Sequence, residues 1–392
     1  MENFFYNIPT QVSFGKGAID NLPQYIRQYG DSVLMVYGGG SIKRTGLYDT
    51  VTKLLKDNGI SYVELSGVEP NPRLSTVKKG IKLCIDYSVD VILPIGGGST
   101  IDCSKAVAAG ARYEGNPWEL VGHSERIEAA VPIIAVATMA ATGSEMDPFA
   151  VITNEETKEK KDISSDMLYP AYAILDPEYT FSVPAYQTAA GIADITSHIF
   201  EVYFASCGDT YMQDRMMESL LKTLIKYGPI AVKEPDNYDA RANVLWASEW
   251  AINGFIACGK GGPWPAHSIE HQLSAYYDIT HGHGLAIITP VLMDYILNDV
   301  SLPVFVNYGV NVWDIDRKKN PYDIAGEAIE KTAAFYEELG LSLDLGYLNV
   351  PYEKDFDEMA EKAAAEDLEY CLVPLKKDDV VEIYRRCFKN KQ

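Results

Sequence analysis

Four of the six histidines, together with one aspartate, have the residue types and spacing of a metal centre. Asp194 and His198 are four residues apart in a segment with helical periodicity, and His267 and His271 repeat that spacing. Side chains at positions i and i+4 lie on one face of a helix. His281 follows in a glycine-rich turn. A carboxylate and imidazoles that converge from separate helices suit Zn²⁺ or Fe²⁺ better than Mg²⁺ or Ca²⁺.

Taken one at a time, these residues have ordinary structural explanations. A single histidine on a half-apolar helix is more often a packed or surface residue than a ligand, and an isolated aspartate is usually a surface charge. The spacing alone leaves open whether His267, His271 or both bind a metal. His123 lies in a polar loop and is not assigned to the site, whereas His283 flanks the glycine-rich turn and stays an alternative ligand. The clustering of the other residues favours one metal centre.

Two glycine-rich turns share one pattern, VYGGGSI at residues 36–42 and PIGGGST at residues 94–100. Each follows an apolar run and precedes a helical stretch, so that backbone N–H groups and the helix dipole would favour an anion there. Glycine lets the backbone approach a pyrophosphate closely. Neither turn is G-x-G-x-x-G, and a single copy is as well explained by an ordinary strand-to-helix turn. Two copies predict nucleotide binding at one edge of a sheet.

The composition of the first turn bears on the choice of cofactor. The turn consists of Gly38, Gly39, Gly40 and Ser41. Enzymes that prefer NAD often place an acid after the first strand, where it bonds the ribose 2′-OH. This stretch has no acid, and Lys43 and Arg44 follow it. We therefore predict NADP(H) rather than NAD(H), with the alternative that Lys43 and Arg44 only begin a solvated helix face.

Hydrophobic periodicity indicates the elements that would position these residues. The first half of the chain alternates predicted strands at residues 32–37, 62–65, 89–95 and 132–138 with predicted helices at residues 77–87 and from Thr100. This alternation predicts a parallel sheet with crossover helices. Helical patterns then dominate, as at residues 212–227, 240–252 and 322–339. We predict an α/β dinucleotide-binding domain over residues 1–183, an all-helical metal-binding domain over residues 184–392, and a surface turn at residues 154–161.

Composition narrows the functional classes. The chain has 392 residues and a formal net charge of −21, which would repel a polyanion and excludes nucleic acid as a partner. The six cysteines are scattered without a C-x-x-C pair, so we expect reduced thiols. The first residues lack the basic and apolar segments of a signal peptide, and no window is long and apolar enough to span a membrane. We therefore expect a cytoplasmic protein without a membrane partner.

The ordered set of motifs resembles the iron-dependent (group III) alcohol dehydrogenase family. Within that family it is most similar to the NADPH-dependent butanol dehydrogenases and broad aldehyde reductases. The resemblance spans nearly the whole chain. The motifs that carry it are GGGSIK (38–43), GVEPNP (67–72), GGGSTIDCSK (96–105), ATGSEMD (141–147), ADITSH (193–198), PAHSIEHQLSAYYD (265–278) and THGHGLA (280–286).

The resemblance implies a role for individual residues. The positions of the family's metal ligands are occupied here by Asp194, His198, His267 and His281. The position of His271 is near the nicotinamide, which makes His271 our candidate for a proton relay. Nucleotide contacts fall on Asn71, Gly97, Gly98, Ser99, Asp102, Thr138, Thr142 and Lys160. The family also implies an active site in the cleft between the domains, and a homodimer in which the N-terminal strand pairs across the interface.

The expected reaction is hydride transfer between NADP(H) and a primary alcohol/aldehyde pair such as butanol and butyraldehyde. Phe149, Phe255 and Cys258 are candidates for an apolar substrate pocket, and the ligand set accepts Fe²⁺ as well as Zn²⁺. A polyol (glycerol-type) dehydrogenase on the same scaffold is one alternative, because fold does not fix the substrate. A metal-dependent hydrolase is a second alternative, which binding of NADPH would exclude. A non-catalytic nucleotide-binding protein would leave the histidine cluster unexplained.

Overall fold

The computed structural model describes residues 1–205 and 209–389. The chain forms two compact units, each discontinuous in sequence. The α/β unit comprises Asn7–Val183 and Pro235–Glu249, and the helical unit comprises Met1–Tyr6, Pro184–Glu234 and Trp250–Gln392. The continuous domains predicted over residues 1–183 and 184–392 stay a prediction, since compact units need not coincide with domains.

A six-stranded sheet forms the centre of the α/β unit. Its strands lie in the order β1-β8-β5-β4-β2-β3, and each neighbouring pair is parallel. In chain order the strands of this sheet are β1 Gln11–Phe14, β2 Ser32–Tyr37, β3 Ser61–Ser66, β4 Val91–Gly96, β5 Ile134–Ala137 and β8 Tyr172–Leu175. The predicted parallel sheet is confirmed.

The central strands are continuous apolar runs because both of their faces are covered. All six residues of β4 are buried, as are five of the six in β2. The α-helices of its first segment are α1 Leu22–Ile26, α2 Ser41–Arg44, α3 Leu47–Asp57, α4 Leu74–Asp86 and α5 Gly98–Gly110. Since β2 pairs with β4, and Val36 lies opposite Pro94, the two glycine turns follow neighbouring strands at the same sheet edge.

A two-stranded antiparallel hairpin corrects one prediction. Its strands are β6 Phe149–Asn154 and β7 Glu159–Ser164. The predicted surface turn at residues 154–161 is therefore too long, because residues 159–161 belong to β7. The repeated charges of this segment concealed the strand, in which Lys160 and Ile163 are buried and their neighbours Lys161 and Asp162 are exposed.

After residue 184, the regular secondary structure of the described chain is helical, which confirms the predicted helical C-terminal region. The α-helices there are α6 Ala185–Tyr203, α7 Tyr211–Lys233, α8 Tyr238–Ile252, α9 Pro265–Tyr277, α10 His281–Ile296, α11 Leu302–Trp313, α12 Pro321–Glu338, α13 Phe356–Ala364 and α14 Lys377–Arg386. Within the described ranges, none of these helices has both the length and the apolarity that crossing a membrane requires. Cysteines at 84, 103, 258, 371 and 387 form no disulfide, and Cys207 lies outside the described residues.

Candidate functional site

Helix α6 supplies the first two residues of the histidine cluster. The side chains of Asp194 and His198 are both buried, and His198 Nε2 lies 3.5 Å from Asp194 Oδ1. Their spacing of four residues places them on one face of the helix, as the sequence predicts. Burial, with a smaller contribution from the two neighbouring histidines His267 and His281, holds the pKa of His198 well below its usual value. The ring is therefore neutral, which is the form that binds a metal.

Helices α9 and α10 bring two more imidazoles to the same carboxylate oxygen. His267 Nε2 lies 3.9 Å and His281 Nε2 3.5 Å from Asp194 Oδ1. One ligand atom from each of these three residues lies within 4.8 Å of the others, which meets the distance requirement for a shared ion. His198 stacks on His267 with ring centroids 5.0 Å apart. The structure therefore brings together the four residues predicted as metal ligands.

A buried glutamate that the sequence reasoning missed orients His267. Glu201 Oε1 lies 3.0 Å from His267 Nδ1 and also accepts a hydrogen bond of 2.9 Å from the His267 backbone N–H. Since a carboxylate only accepts, Nδ1 carries the proton and Nε2 carries a lone pair. That Nε2 atom is buried, and no hydrogen-bond donor or acceptor reaches it within the described residues. A lone pair in this setting fits a metal ion.

A second missed glutamate plays the same part for His281. Glu270, which is fully buried, pairs with His281 Nδ1 and accepts a hydrogen bond of 2.5 Å from Ser274 Oγ. His281 Nε2 is thus the nitrogen that faces Asp194. The sequence held a weak signal for both acids, because Glu201 and Glu270 each follow a predicted ligand by three residues, on the same helix face.

The other two histidines of this region have different surroundings. His271 is half-buried, and its ring centroid lies 5.3 Å from that of His281 and 5.9 Å from that of His267. His283 Nε2 donates to the Ser342 carbonyl at 2.8 Å, so its Nδ1 accepts from the Tyr186 hydroxyl at 3.0 Å. With both nitrogens engaged, His283 is not available as a metal ligand in this arrangement.

The donor set fits a divalent transition metal. Three imidazoles and one carboxylate make an N₃O set, which suits Zn²⁺ or Fe²⁺ and is a poor match for Mg²⁺ or Ca²⁺. Carboxylates that accept from the remaining ring N–H groups are the usual support of such ligands. Asp194, His198, His267 and His281 could therefore hold such an ion.

The second glycine turn, in the α/β unit, opens directly into α5. The helix begins at Gly98, one residue after the turn's extended Gly97, so its first N–H groups face the end of β4. A Cβ at Gly98 would lie 2.3 Å from Thr142 Oγ1, so only glycine fits beside this threonine. The structure therefore brings the predicted nucleotide residues Gly97, Gly98, Ser99 and Thr142 together.

The first glycine turn has free space around its backbone, and the ammonium group of a lysine lies close to it in the chain. Gly40 has φ +89°, a left-handed conformation that favours glycine, and a Cβ at Gly39 or Gly40 would meet no atom within 4 Å. Lys43 Nζ lies 5.0 Å from the Tyr37 ring centroid and 4.5 Å from that of Tyr48. Both tyrosine hydroxyls donate to Glu64 on β3, at 2.5 and 2.7 Å. This acid beside the turn was missed because it comes from the neighbouring strand.

The remaining predicted nucleotide residues differ in exposure. Asn71 is half-buried with φ 55°, and Thr138 follows β5, its N–H bonded to the Gly96 carbonyl at 2.9 Å. Lys160 is buried in the hairpin. Asp102 is buried as well, and both of its carboxylate oxygens accept hydrogen bonds from the protein, from Ser144 Oγ at 2.7 Å and the Val151 N–H at 3.0 Å. The nucleotide roles of these four residues stay predictions.

The three residues predicted for a substrate pocket do not share one environment. Phe149 is 44% exposed on β6 of the α/β unit. Phe255 packs edge-on against Tyr6 and Trp250, with ring centroids 5.6 Å apart in each pair, and Cys258 is buried in the same helical unit. Their joint role stays a prediction.

Two family models together match most of the chain. The model described as "Iron-containing alcohol dehydrogenase" matches residues 9–177, and the model described as "Fe-containing alcohol dehydrogenase family, C-terminal" matches residues 188–388.

Named relatives and a solved structure extend this likeness over the full length. NADH-dependent butanol dehydrogenase A of Clostridium acetobutylicum is 51% identical over 99% of this chain and 100% of its own. NADPH-dependent aldehyde reductase YqhD of Escherichia coli is 39% identical over 88% of this chain and 89% of its own. The crystal structure of NADH-dependent butanol dehydrogenase A from Thermotoga maritima superposes with a TM-score of 0.94 at 38% identity, covering 99% of each chain.

Proposed function

The chain belongs to the iron-containing alcohol dehydrogenase family, and we propose that it moves a hydride between NADP(H) and a small primary alcohol or aldehyde at a metal centre. Alcohol–aldehyde oxidoreduction is what the names of its relatives state for those proteins. Butanol and butyraldehyde are the proposed substrate pair. We also propose that the protein is cytoplasmic and forms a homodimer.

The observation that carries the proposal is the convergence of three imidazole Nε2 atoms on Asp194 Oδ1, at 3.5, 3.9 and 3.5 Å. A bound divalent ion would act there as a Lewis acid toward the substrate oxygen. Asp194, His198, His267 and His281 would hold it. Glu201 and Glu270 fix the tautomers of His267 and His281, so that the Nε2 atoms of these two rings are ready to bind.

The two glycine turns are the proposed cofactor site. Gly97, Gly98 and Ser99 offer the backbone N–H groups of the α5 N-terminus to a pyrophosphate, whose charge the helix dipole favours. Hydride chemistry belongs to the nicotinamide, whereas the protein binds and orients it.

His271 is the proposed proton relay. Its ring is half-buried and lies 5.3 Å from the His281 ring, and imidazole is the side chain that most often transfers protons in catalysis. His271→Ala should then lower turnover strongly while one metal ion per chain is retained. Equal loss of bound metal and of activity would instead make His271 a ligand.

For the cofactor, the absence of an acid in residues 38–41 and the presence of Lys43 support NADP(H). NAD(H) is the second candidate, because Glu64 lies next to this turn through Tyr37 and Tyr48, and an acid there could bond a ribose 2′-OH. The names of the relatives divide in the same way, with NADH-dependent and NADPH-dependent proteins among them.

One experiment tests these proposals together. Protein stripped of metal by chelation is supplied with Fe²⁺ or Zn²⁺, and butyraldehyde-dependent oxidation of NADPH and of NADH is followed by absorbance. We expect that added metal restores activity and that NADPH is then oxidised faster than NADH. Activity faster with NADH would replace the cofactor assignment and keep the reaction. Activity with glycerol as the preferred substrate would support the polyol dehydrogenase. The absence of nicotinamide turnover with each substrate and metal would overturn the proposal and favour the hydrolase.

A further inference from the structure

A fully buried lysine in the α/β unit has no role in the proposed reaction. Lys105, on α5, is 0% exposed. Its Nζ lies 2.8 Å from each of four acceptors, which are Ser144 Oγ, the Asp147 carbonyl, Asp147 Oδ1 and the Phe149 carbonyl. A buried ammonium is retained only where charge and hydrogen bonds compensate its lost hydration, and here all three of its protons have acceptors.

The four acceptors belong to one segment, so Lys105 fastens that segment to α5. Ser144 Oγ also donates to Asp102 Oδ1 at 2.7 Å, and the Val151 N–H donates to Asp102 Oδ2 at 3.0 Å. Asp102 and Lys105 are three residues apart and lie on one helix face. Residues 144–151 are therefore held to α5 at their start, middle and end by one acid and one base.

The fastened segment begins two residues after Thr142, which touches the glycine turn. The Ser144 N–H donates to Thr142 Oγ1 at 3.3 Å, and a Cβ at Gly98 would lie only 2.3 Å from that oxygen. The turn is thus bounded on one side by α5 and on the other by the segment around Thr142, which Lys105 holds against α5 through hydrogen bonds. A shift of this loop would change the space over the first N–H groups of the helix.

We propose that Lys105 is a positioning residue for nucleotide binding, which acts by holding Ser144 and, through it, Thr142 against the turn at Gly98. Asp102 works in the same way, through Ser144 and Val151, and not by touching the nucleotide. This inference rests on the proposed function of the turn as the pyrophosphate site. It predicts that replacing Lys105 or Asp102 lowers cofactor affinity and leaves metal binding unchanged.

The test uses Lys105→Met in the full-length protein, with the dissociation constant for NADPH and for NADH measured by fluorescence. Because the loop then loses its hydrogen bonds to the Lys105 ammonium, binding is expected to weaken by about 10- to 100-fold. Val107→Ala is the matched control, because Val107 is equally buried on the same helix and packs toward α4 instead. It should lower the melting temperature without changing the dissociation constant. Bound metal, measured by atomic emission, should stay the same in both variants.

A second variant covers the case in which Lys105→Met does not fold. Ser144→Ala keeps the ion pair of Lys105 with Asp147 and removes only the bridging hydroxyl, so about a tenfold loss of affinity is expected for one hydrogen bond to charged partners. Ser144→Ala with unchanged cofactor affinity would overturn the inference, as would a folded Lys105→Met protein with wild-type affinity. Wild-type protein that binds neither nucleotide would instead overturn the proposed function.

Discussion

Buried carboxyl groups do different things in the two units of the molecule. In the helical unit, Glu201 and Glu270 each accept a hydrogen bond from a histidine, and Glu270 also accepts one from Ser274. In the α/β unit, Glu145 and Glu249 are also buried, but neither oxygen of Glu249 meets a donor at bonding geometry within the described residues. Both acids of the first pair accept hydrogen bonds from side chains, whereas Glu249 does not within the described residues.

The buried acids of the α/β unit have raised pKa values. Burial raises the pKa of Glu145 to about 7, and burial with the nearby charges of Glu145 and Asp147 raises that of Glu249 well above its usual value. Burial and the charge of Asp147, opposed by Lys105, raise the pKa of Asp102 to about 6. Lys105 is the cation at the centre of this group. A buried acid therefore holds its proton more tightly where acids outnumber cations.

The largest expected effect comes from removing the residue on which the histidines converge. Asp194→Ala should abolish metal binding and lower aldehyde reductase activity by about 1,000-fold or more, since Lewis-acid catalysis is worth several kcal/mol. Metal content and activity are measured on the same sample. His123→Ala is the control, because this histidine is exposed and far along the chain from the cluster. Asp194→Ala with a full complement of metal would refute the ligand set.

Replacing the orienting glutamates separates hydrogen bonding from charge. Glu201→Leu leaves His267 Nδ1 without its acceptor, so metal affinity should fall by about 10- to 100-fold. Glu201→Gln keeps a carbonyl acceptor for the same N–H and should lose less. Both are measured by competition with a chromogenic chelator, with Glu270→Gln as a parallel case at His281. Equal losses for Leu and Gln at position 201 would mean that charge, and not the tautomer, is what the acid provides.

The fold and the convergence of Asp194 with the histidines were predictable from the sequence, whereas the supporting acids were not. Residues 32–37 are a continuous apolar run that only a buried strand explains, and Asp194 with His198 has a spacing that only a helix aligns. Glu201 is 66 residues from its partner His267, and a lone glutamate on a helix is usually exposed. Periodicity reports which face a residue occupies, but it does not report which distant side chain meets it.

Stability should depend on pH through the α/β unit. An acid whose pKa is higher in the folded state binds its proton more tightly there, so stability falls as pH rises from about 4.5 to the folded-state pKa, which is about 7 for Glu145. Glu249→Gln removes one such acid. It should raise the free energy of unfolding at pH 8 relative to wild type, because burial and the charges of Glu145 and Asp147 raise the pKa of Glu249 well above its usual value.

Urea unfolding at pH 5 and pH 8 measures this difference. Glu249→Gln should narrow the gap between the two pH values, while Glu156→Gln, at an exposed turn position, should leave it unchanged. The comparison of the two units would fail if Glu249→Gln were less stable than wild type at pH 8, because the carboxylate would then have donors that stabilise its charge.

The smallest effect is expected at His283, which lies beside the metal cluster in sequence but is engaged elsewhere. Tyr186→Phe removes the hydroxyl that donates to His283 Nδ1, and should lower the free energy of unfolding by about 1 kcal/mol, the usual worth of one hydrogen bond. Metal content should not change, because the Ser342 carbonyl still holds Nε2. Because Tyr186→Phe leaves Nδ1 of His283 without its hydrogen bond, this is the variant in which His283 could most easily bind a metal. Tighter metal binding in this variant would show that His283 competes with His281, and that the hydroxyl of Tyr186 is what keeps it out of the centre.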